Sequence, residues 1–245
     1  MNESSMNLQK PSALNGFHIT KLNWRSFSVN ESEVVAPIVH RRLIRKTKEL
    51  LNGFAGKSVL ELGPREGSVT KLMSAEQAGK ILAVEPVPNN YLKCLVVKEH
   101  YGLSNCRFLL GDPTAYVNQC RREFDVVVIT NLLFKIRQPH ILLESLRSIT
   151  SNIVINGPVF HQSDQSSGFT GEQESFERDG KQFHLHVRKL AQKDGADSDR
   201  FAAVFDRDGL EEYLQAIGYQ TERFTFVRGE GAPSQVGFLA TKVAS

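Results

Sequence analysis

Between Ser58 and Pro158 the chain alternates, at regular spacing, between short apolar runs and longer amphipathic stretches. The runs are SVLELG from Ser58, ILAVEP from Ile81, CRFLLGD from Cys106, FDVVVITN from Phe124 and NIVINGP from Asn152. A strand buried on both faces reads as an unbroken apolar run, and its parallel neighbour is reached only through a crossover of roughly a dozen residues or more, usually a helix. Gly67 to Ala78, NNYLKCLVVKEHYG, TAYVNQCRR and PHILLESLRSI supply those crossovers. Such units cross over right-handed and lay helices on both faces of one parallel sheet.

The rhythm breaks over 160–200, a polar region containing SDQSSG and KDGADSD with one strand-like run, QFHLHVRKL from Gln182. An insertion or lid holding a hairpin or a single strand is expected there. A helix over Asp206 to Gly218 and two strands, YQTERFTFV and QVGFLATKV, close the pattern around the turn-rich RGEGAPS. The expected fold is therefore α/β, a doubly wound, mostly parallel, seven-stranded sheet with an N-terminal helical segment and an insertion after the fifth strand. Residues 1–15 are polar, and VVAPIVHRRLIRKTKELL from Val34 reads as a leading helix with Pro37 near its first turn. This divides the chain into an N-terminal segment with its helix (1–50) and one main domain (51–245).

No apolar run approaches the length that spans a bilayer, and the polar start of the chain lacks a secretory signal, so a cytoplasmic location and no membrane partner are expected. Cys94, Cys106 and Cys120 are odd in number and lack metal-site spacing; they read as reduced packing thiols. A net charge of +3 gives no general mandate for nucleic acid, but HRRLIRKTK (His40 to Lys48) concentrates Arg41, Arg42, Arg45, Lys46 and Lys48 on one helix.

In open α/β sheets, ligands bind beyond the carboxyl ends of the strands, closest to the first βα turn. That turn is ELGPREG, Glu61 to Gly67, bracketed by Gly63 and Gly67, which permit unusual dihedrals and close backbone approach. Glu61, inside an apolar strand, needs a partner such as an ammonium group or ordered water. Glu85 ends the second strand, placed to accept from two ribose hydroxyls, and Asp112 closes the third, where a carboxylate can accept from an adenine amine. Three acids at three consecutive strand ends point to one adenosine ligand. A P-loop lysine is absent, and acids stand where a pyrophosphate would need a neutral turn, which disfavours ATP and dinucleotides.

The ordered motifs ELGPREG, AVEP, GDP and FDVVVITNLL resemble those of class I S-adenosylmethionine-dependent methyltransferases, over about Val59 to Pro158. The resemblance implies S-adenosylmethionine as cofactor and S-adenosylhomocysteine as product. By it, Glu61 and the loop Gly63, Pro64, Arg65 and Gly67 hold the methionine end, Glu85 with Pro86 the ribose, and Asp112 with Pro113 the adenine. Asn131, closing the fourth strand, sits near the sulfonium and the acceptor. The family's middle loop glycine is replaced by Arg65, preceded by Pro64, so the loop is expected to take a different path; Arg65 either turns inward to the cofactor carboxylate or faces solvent. A branched side chain at Gly63 is expected to block the donor without necessarily unfolding the domain.

Methyl transfer depends chiefly on in-line positioning, so a general base is optional. Candidates are His161, His184 and His186, the last two on one face with Arg188, with Asn131 as a further acceptor-side residue. No tight spacing joins these histidines and Asp164 into a metal site, and no metal is expected. Trp24, Arg25 and Phe27 either cap the pocket or pack in the core. NWRSFSVNESEVVAP, followed by the basic helix, also resembles transferases that modify the tRNA wobble uridine, with Leu133-Phe134-Lys135 standing at that group's Leu-Tyr-His-like element. The leading expectation is an enzyme methylating an oxygen or nitrogen of a small-molecule acceptor. The alternatives are an RNA methyltransferase using the 41–48 helix and a non-catalytic adenosyl-binding partner protein.

Overall fold

The structure, a computed structural model, describes residues 24, 28–29, 34–35, 38–160, 173–190, 200–226 and 235–243. A short antiparallel pair, β1 (Ser28–Val29) and β2 (Val34–Val35), precedes helix α1 (Ile38–Leu50). The alternating region then runs β3 (Ser58–Leu62), α2 (Ser68–Ala75), β4 (Lys80–Glu85), α3 (Pro88–Tyr101), β5 (Cys106–Leu110), α4 (Pro113–Gln119), β6 (Val126–Thr130), α5 (Pro139–Leu146) and β7 (Asn152–Pro158). A 3-10 turn over Leu133–Lys135 follows β6. Beyond β7 lie β8 (Gln173–Arg178), β9 (Lys181–Leu190), β10 (Arg200–Phe205), α6 (Arg207–Ala216), β11 (Tyr219–Phe226) and β12 (Gln235–Lys242).

The main sheet has seven strands in the order β11-β12-β7-β6-β3-β4-β5. β3, β4, β5, β6 and β7 pair in parallel, and β12 runs antiparallel to both β7 and β11. The order reverses direction at β3, so the chain leaves β3 and β6 on opposite sides of a crevice at their carboxyl ends.

Strand alternation assigns each side chain to a face. Leu60 and Leu62 of β3, with Val127 and Ile129 of β6, belong to the core beneath α5 and α6. Val59, Ile81, Ala83, Val126 and Val128 belong to the opposite core beneath α1, α2 and α3. By the same parity Glu61 and Glu85 both project toward the α1–α3 side. Helix α1 presents His40, Leu43, Ile44 and Thr47 to that core and leaves Arg41, Arg42, Arg45, Lys46 and Lys48 exposed. Lys46 pairs with Glu49, and Lys48 with Glu76.

The region expected to hold a hairpin or one strand holds a hairpin, β8–β9, and β10 extends it into a three-stranded antiparallel sheet, β10-β9-β8. The sequence disguises β8, ESFER within it being mostly charged. Its period of two is nevertheless intact, because Glu174, Phe176 and Arg178 share one face and their partners lie far along the chain: Arg137 for Glu174, Glu144 for Arg178. Phe176 sits among the rings of Phe183, Phe205 and Tyr213, at centroid distances of 5.6, 6.1 and 5.3 Å. Phe183, Leu185, Val187, Ala203 and Phe205 are buried in the same core as α5 and α6, so this sheet is packed onto the main domain.

Candidate active site

The turn after β3 is bent by three left-handed residues, Gly63 (φ 72°), Arg65 (φ 59°) and Gly67 (φ 81°). Arg65 therefore takes the dihedral for which glycine is the usual residue, and the substitution leaves that local conformation in place. The bend is fastened from several sides. Gly63 N–H donates to the Val84 carbonyl at 2.9 Å and Gly67 N–H to the Pro64 carbonyl at 3.0 Å. The Cys94 thiol donates to the Arg65 carbonyl at 3.1 Å. Beneath it, Glu66 is 2% exposed and pairs with Lys93 Nζ at 2.7 Å, tying the loop to α3. The Lys93 ammonium also lies 5.5 Å from the Trp24 ring centroid, the ring packing against the α1–α3 core.

Left-handed backbone costs an L-residue roughly 1 to 2 kcal/mol, while a new glycine costs roughly 0.5 to 1 kcal/mol through the flexibility it adds to the unfolded chain. Arg65→Gly is thus expected to stabilise the fold by about 1 kcal/mol or less. A thermal melt that drops by several degrees would show that the Arg65 side chain carries packing outweighing this strain.

Glu61 is fully buried. Its Oε2 accepts from the Thr70 hydroxyl on the first turn of α2, and its Oε1 makes no hydrogen bond. Burial pushes its carboxyl up to about 8, opposed by the Thr70 hydrogen bond and reinforced by the nearby Glu85. Glu85, 2% exposed, accepts from Arg65 N–H at 2.8 Å, Val87 N–H at 3.0 Å and Asn90 Nδ2 at 3.1 Å. Burial raises its carboxyl as well, against those hydrogen bonds and the charge of Lys135. Two buried carboxyls face one crevice, and one oxygen lacks a donor. A ligand bringing a cation and hydroxyl groups could meet both needs.

The rest of the rim follows strand by strand. Gly111 N–H donates to the Glu85 carbonyl at 3.1 Å, carrying the chain to Asp112 at the N-cap of α4. The Asp112 side chain is exposed, with Oδ1 accepting from Ala115 N–H at 2.8 Å. Pro113 is buried as the first residue of α4, whereas Pro86 is exposed beyond β4. Asn131, at the end of β6, is left-handed (φ 52°) and donates its N–H to the Asn156 carbonyl at 2.7 Å. Next to it, Leu132 fills the space beside Gly63: a Cβ there would lie 3.1 Å from Leu132 Cβ and Cδ1. Gly67, at the N-cap of α2, has no side chain with which to cap that helix.

Over residues 36–223 the sequence matches the family described as a methyltransferase domain. The chain belongs to that family. Its seven-stranded sheet, with the antiparallel β12 between five parallel strands and the single edge strand β11, is the class I methyltransferase arrangement. Among solved structures, the methyltransferase is similar to the N-terminal domain of EvdMO1 in the presence of SAH and D-fucose (19% identity, 91% of this chain, 92% of that one, TM-score 0.65). Against full EvdMO1 it covers 99% of itself but only 50% of that chain, at 19% identity and TM-score 0.61. It is also similar to the 1,6-didemethyltoxoflavin-N1-methyltransferase of Burkholderia thailandensis with bound 1,6-didemethyltoxoflavin and S-adenosylhomocysteine (14% identity, 84% and 79% covered, TM-score 0.58). None of the curated proteins matches the sequence. Among the described residues no helix is long and apolar enough to cross a membrane.

The structure gathers Glu61, Gly63, Pro64, Arg65, Gly67 and Glu85 of the methyltransferase into one bonded unit, with Asp112 and Asn131 on the neighbouring strand ends. His184 stands on β9, its Nδ1 2.9 Å from the Ser175 hydroxyl. His161, Asp164, Arg25 and Phe27 lie outside the described residues. Thr70, Asn90, Lys93 and Leu132 were not read from the sequence as parts of the site. Asn90 had a usable signal, being a polar residue in the first turn of the helix after Glu85; Leu132 had none, since its contact with Gly63 spans two strands.

Proposed function

We propose that the protein binds S-adenosylmethionine at this rim and transfers its methyl group to an oxygen or nitrogen of a small-molecule acceptor. The observation that carries the reading is the unpartnered Glu61 Oε1, fully buried at the base of the glycine turn. An α-ammonium group supplies the missing donor and the missing positive charge together. A carboxylate has about four lone-pair sites, and Glu85 has three occupied, which leaves one for a ribose hydroxyl. In this reading Asp112, exposed at the next strand end, accepts from the adenine amine, and Pro86 and Pro113 flank the ribose and adenine. When bound, the cofactor supplies a methyl carbon made electrophilic by positive sulfur. The chain's own part is to orient that carbon toward the acceptor beside Asn131 and to keep water out, which is where positioning gains its rate. Two structural neighbours whose names include D-fucose and 1,6-didemethyltoxoflavin support a compact acceptor.

The test is calorimetry with S-adenosylmethionine and S-adenosylhomocysteine on the wild type and Glu85→Ala. Removing hydrogen bonds to a charged group is expected to weaken binding by about 1.5 to 3 kcal/mol, roughly ten- to hundredfold. Unchanged affinity removes Glu85 from the site, and wild-type binding of a nicotinamide dinucleotide in place of either ligand overturns the reading.

A second reading, methylation of RNA, is favoured by Arg41, Arg42 and Arg45, all exposed on α1 and in no ion pair among the described residues. It requires an RNA affinity that falls steeply with added salt.

A further inference from the structure

We propose that His186 is the general base of this methyltransferase, oriented by Asp206, and that the acceptor is accordingly a group that must lose a proton, such as a hydroxyl. This rests on the reading above. His186 Nε2 lies 2.9 Å from Asp206 Oδ1. Asp206 occupies the N-cap of α6 yet makes no side-chain capping bond. An aspartate at this position ordinarily caps its helix, and here the carboxylate is turned to the imidazole instead. The ring is clamped from its flat side too: Phe160 stacks on it at 3.7 Å with an interplanar angle of 18°. Phe160 is itself anchored, its N–H donating to the Phe205 carbonyl at 2.9 Å and its carbonyl accepting from Arg207 N–H at 3.0 Å.

The dyad stands on the acceptor side of the crevice. Phe160 follows the carboxyl end of β7, the strand next to β6, whose end carries Asn131. His186 is paired in register with Val204 of β10. Val204 lines a small recess together with Leu133 and Phe134 of the turn after Asn131, and Gly157 and Pro158 of β7. His186 is thus the cross-strand neighbour of a residue lining that recess. His184, two residues away on the same face, meets a serine rather than a carboxylate. With Nε2–H directed at Asp206, the lone pair is on Nδ1, for which no hydrogen-bond partner occurs among the described residues.

The chemistry balances without a further reagent. The acceptor proton passes to His186 Nδ1, the oxygen's electron pair forms the new bond to the methyl carbon, and the C–S pair remains on sulfur as a neutral thioether. The imidazolium, stabilised by Asp206, then returns its proton to water.

Two measurements on the full chain decide the proposal. Nitrogen-15 NMR of the free protein is expected to show the neutral His186 ring protonated at Nε2, with that preference lost in Asp206→Asn. A ring protonated at Nδ1 overturns the proposal whether or not an acceptor has been found. In the second, S-adenosylhomocysteine release is screened with D-fucose, simple phenols and N-heterocycles. With the best acceptor, His186→Gln is expected to lower kcat about 100-fold or more, with acceptor KM and calorimetric cofactor affinity within threefold of wild type. Asp206→Asn is expected to act in the same direction but less, as a positioning residue. Wild-type kcat in His186→Gln overturns the dyad while leaving the cofactor reading standing; loss of cofactor binding by the wild type overturns the cofactor reading instead.

Discussion

Glu61→Gln is expected to weaken S-adenosylmethionine binding by about a hundredfold, the scale of truncating one partner of a buried charge pair. The amide keeps the shape and the hydrogen bond to Thr70, so the loss belongs to the charge and not to a collapsed loop. Thermal stability is expected to hold or rise, because the free protein no longer buries an ionisable carboxyl without a cation.

The same residue sets a pH dependence whose sign follows from its shift. Burial moves the Glu61 carboxyl from 4.5 up to about 8, so between those values the folded chain holds a proton that the unfolded chain has released. Stability from this group is complete below about pH 4.5 and is lost as pH rises through 8. Cofactor affinity runs the other way, since an ammonium ligand requires the carboxylate and must displace the proton. Binding at pH 7 is therefore expected to release close to one proton, read as different apparent heats in buffers of different ionisation enthalpy. Equal heats in both buffers for the wild type would mean that Glu61 does not meet the cation. In Glu61→Gln its contribution to the proton release is expected to vanish.

Gly63→Val is expected to cost roughly 2 to 5 kcal/mol of stability, combining left-handed strain with overpacking. The φ of +72° disfavours any Cβ, and that Cβ would press on Leu132 at 3.1 Å. For a chain of this size the melting temperature would fall by roughly 5 to 20 °C. Gly102→Val is the control, because Gly102 shares a positive φ (+61°) but has nothing within 4 Å of an added Cβ. The difference between the two melts isolates the contact with Leu132; equal losses would show that Leu132 yields. Beside the expected block of the donor, a branched residue at Gly63 thus carries a stability cost of its own. The missing side chain makes room for a neighbouring strand end as well as for a ligand.

Much of the fold was readable because its signals are local. A strand buried on both faces must be apolar along its length, and a parallel partner must be reached by a helix, so β3 to β7 could be placed from Ser58 to Pro158 before any tertiary contact was known. The acids of the site were readable for a related reason: Glu61 and Glu85 are charges within apolar strands, which is costly unless something meets them. Strand β8 was hidden because its inward-facing Glu174 and Arg178 look like surface residues until Arg137 and Glu144 are brought beside them.

What the linear order of residues settled was the parallel sheet, the bend at Gly63 to Gly67 and the rim of acids, all of which depend on a residue's own chemistry and its near neighbours. The fold alone settled which groups meet. Glu61 has Thr70 for one oxygen and no donor for the other, Leu132 closes on Gly63, and His186 takes the carboxylate of Asp206 with Phe160 across its face. Those pairings join separate strand and helix ends, and distance along a chain carries no information about them until packing brings the ends together.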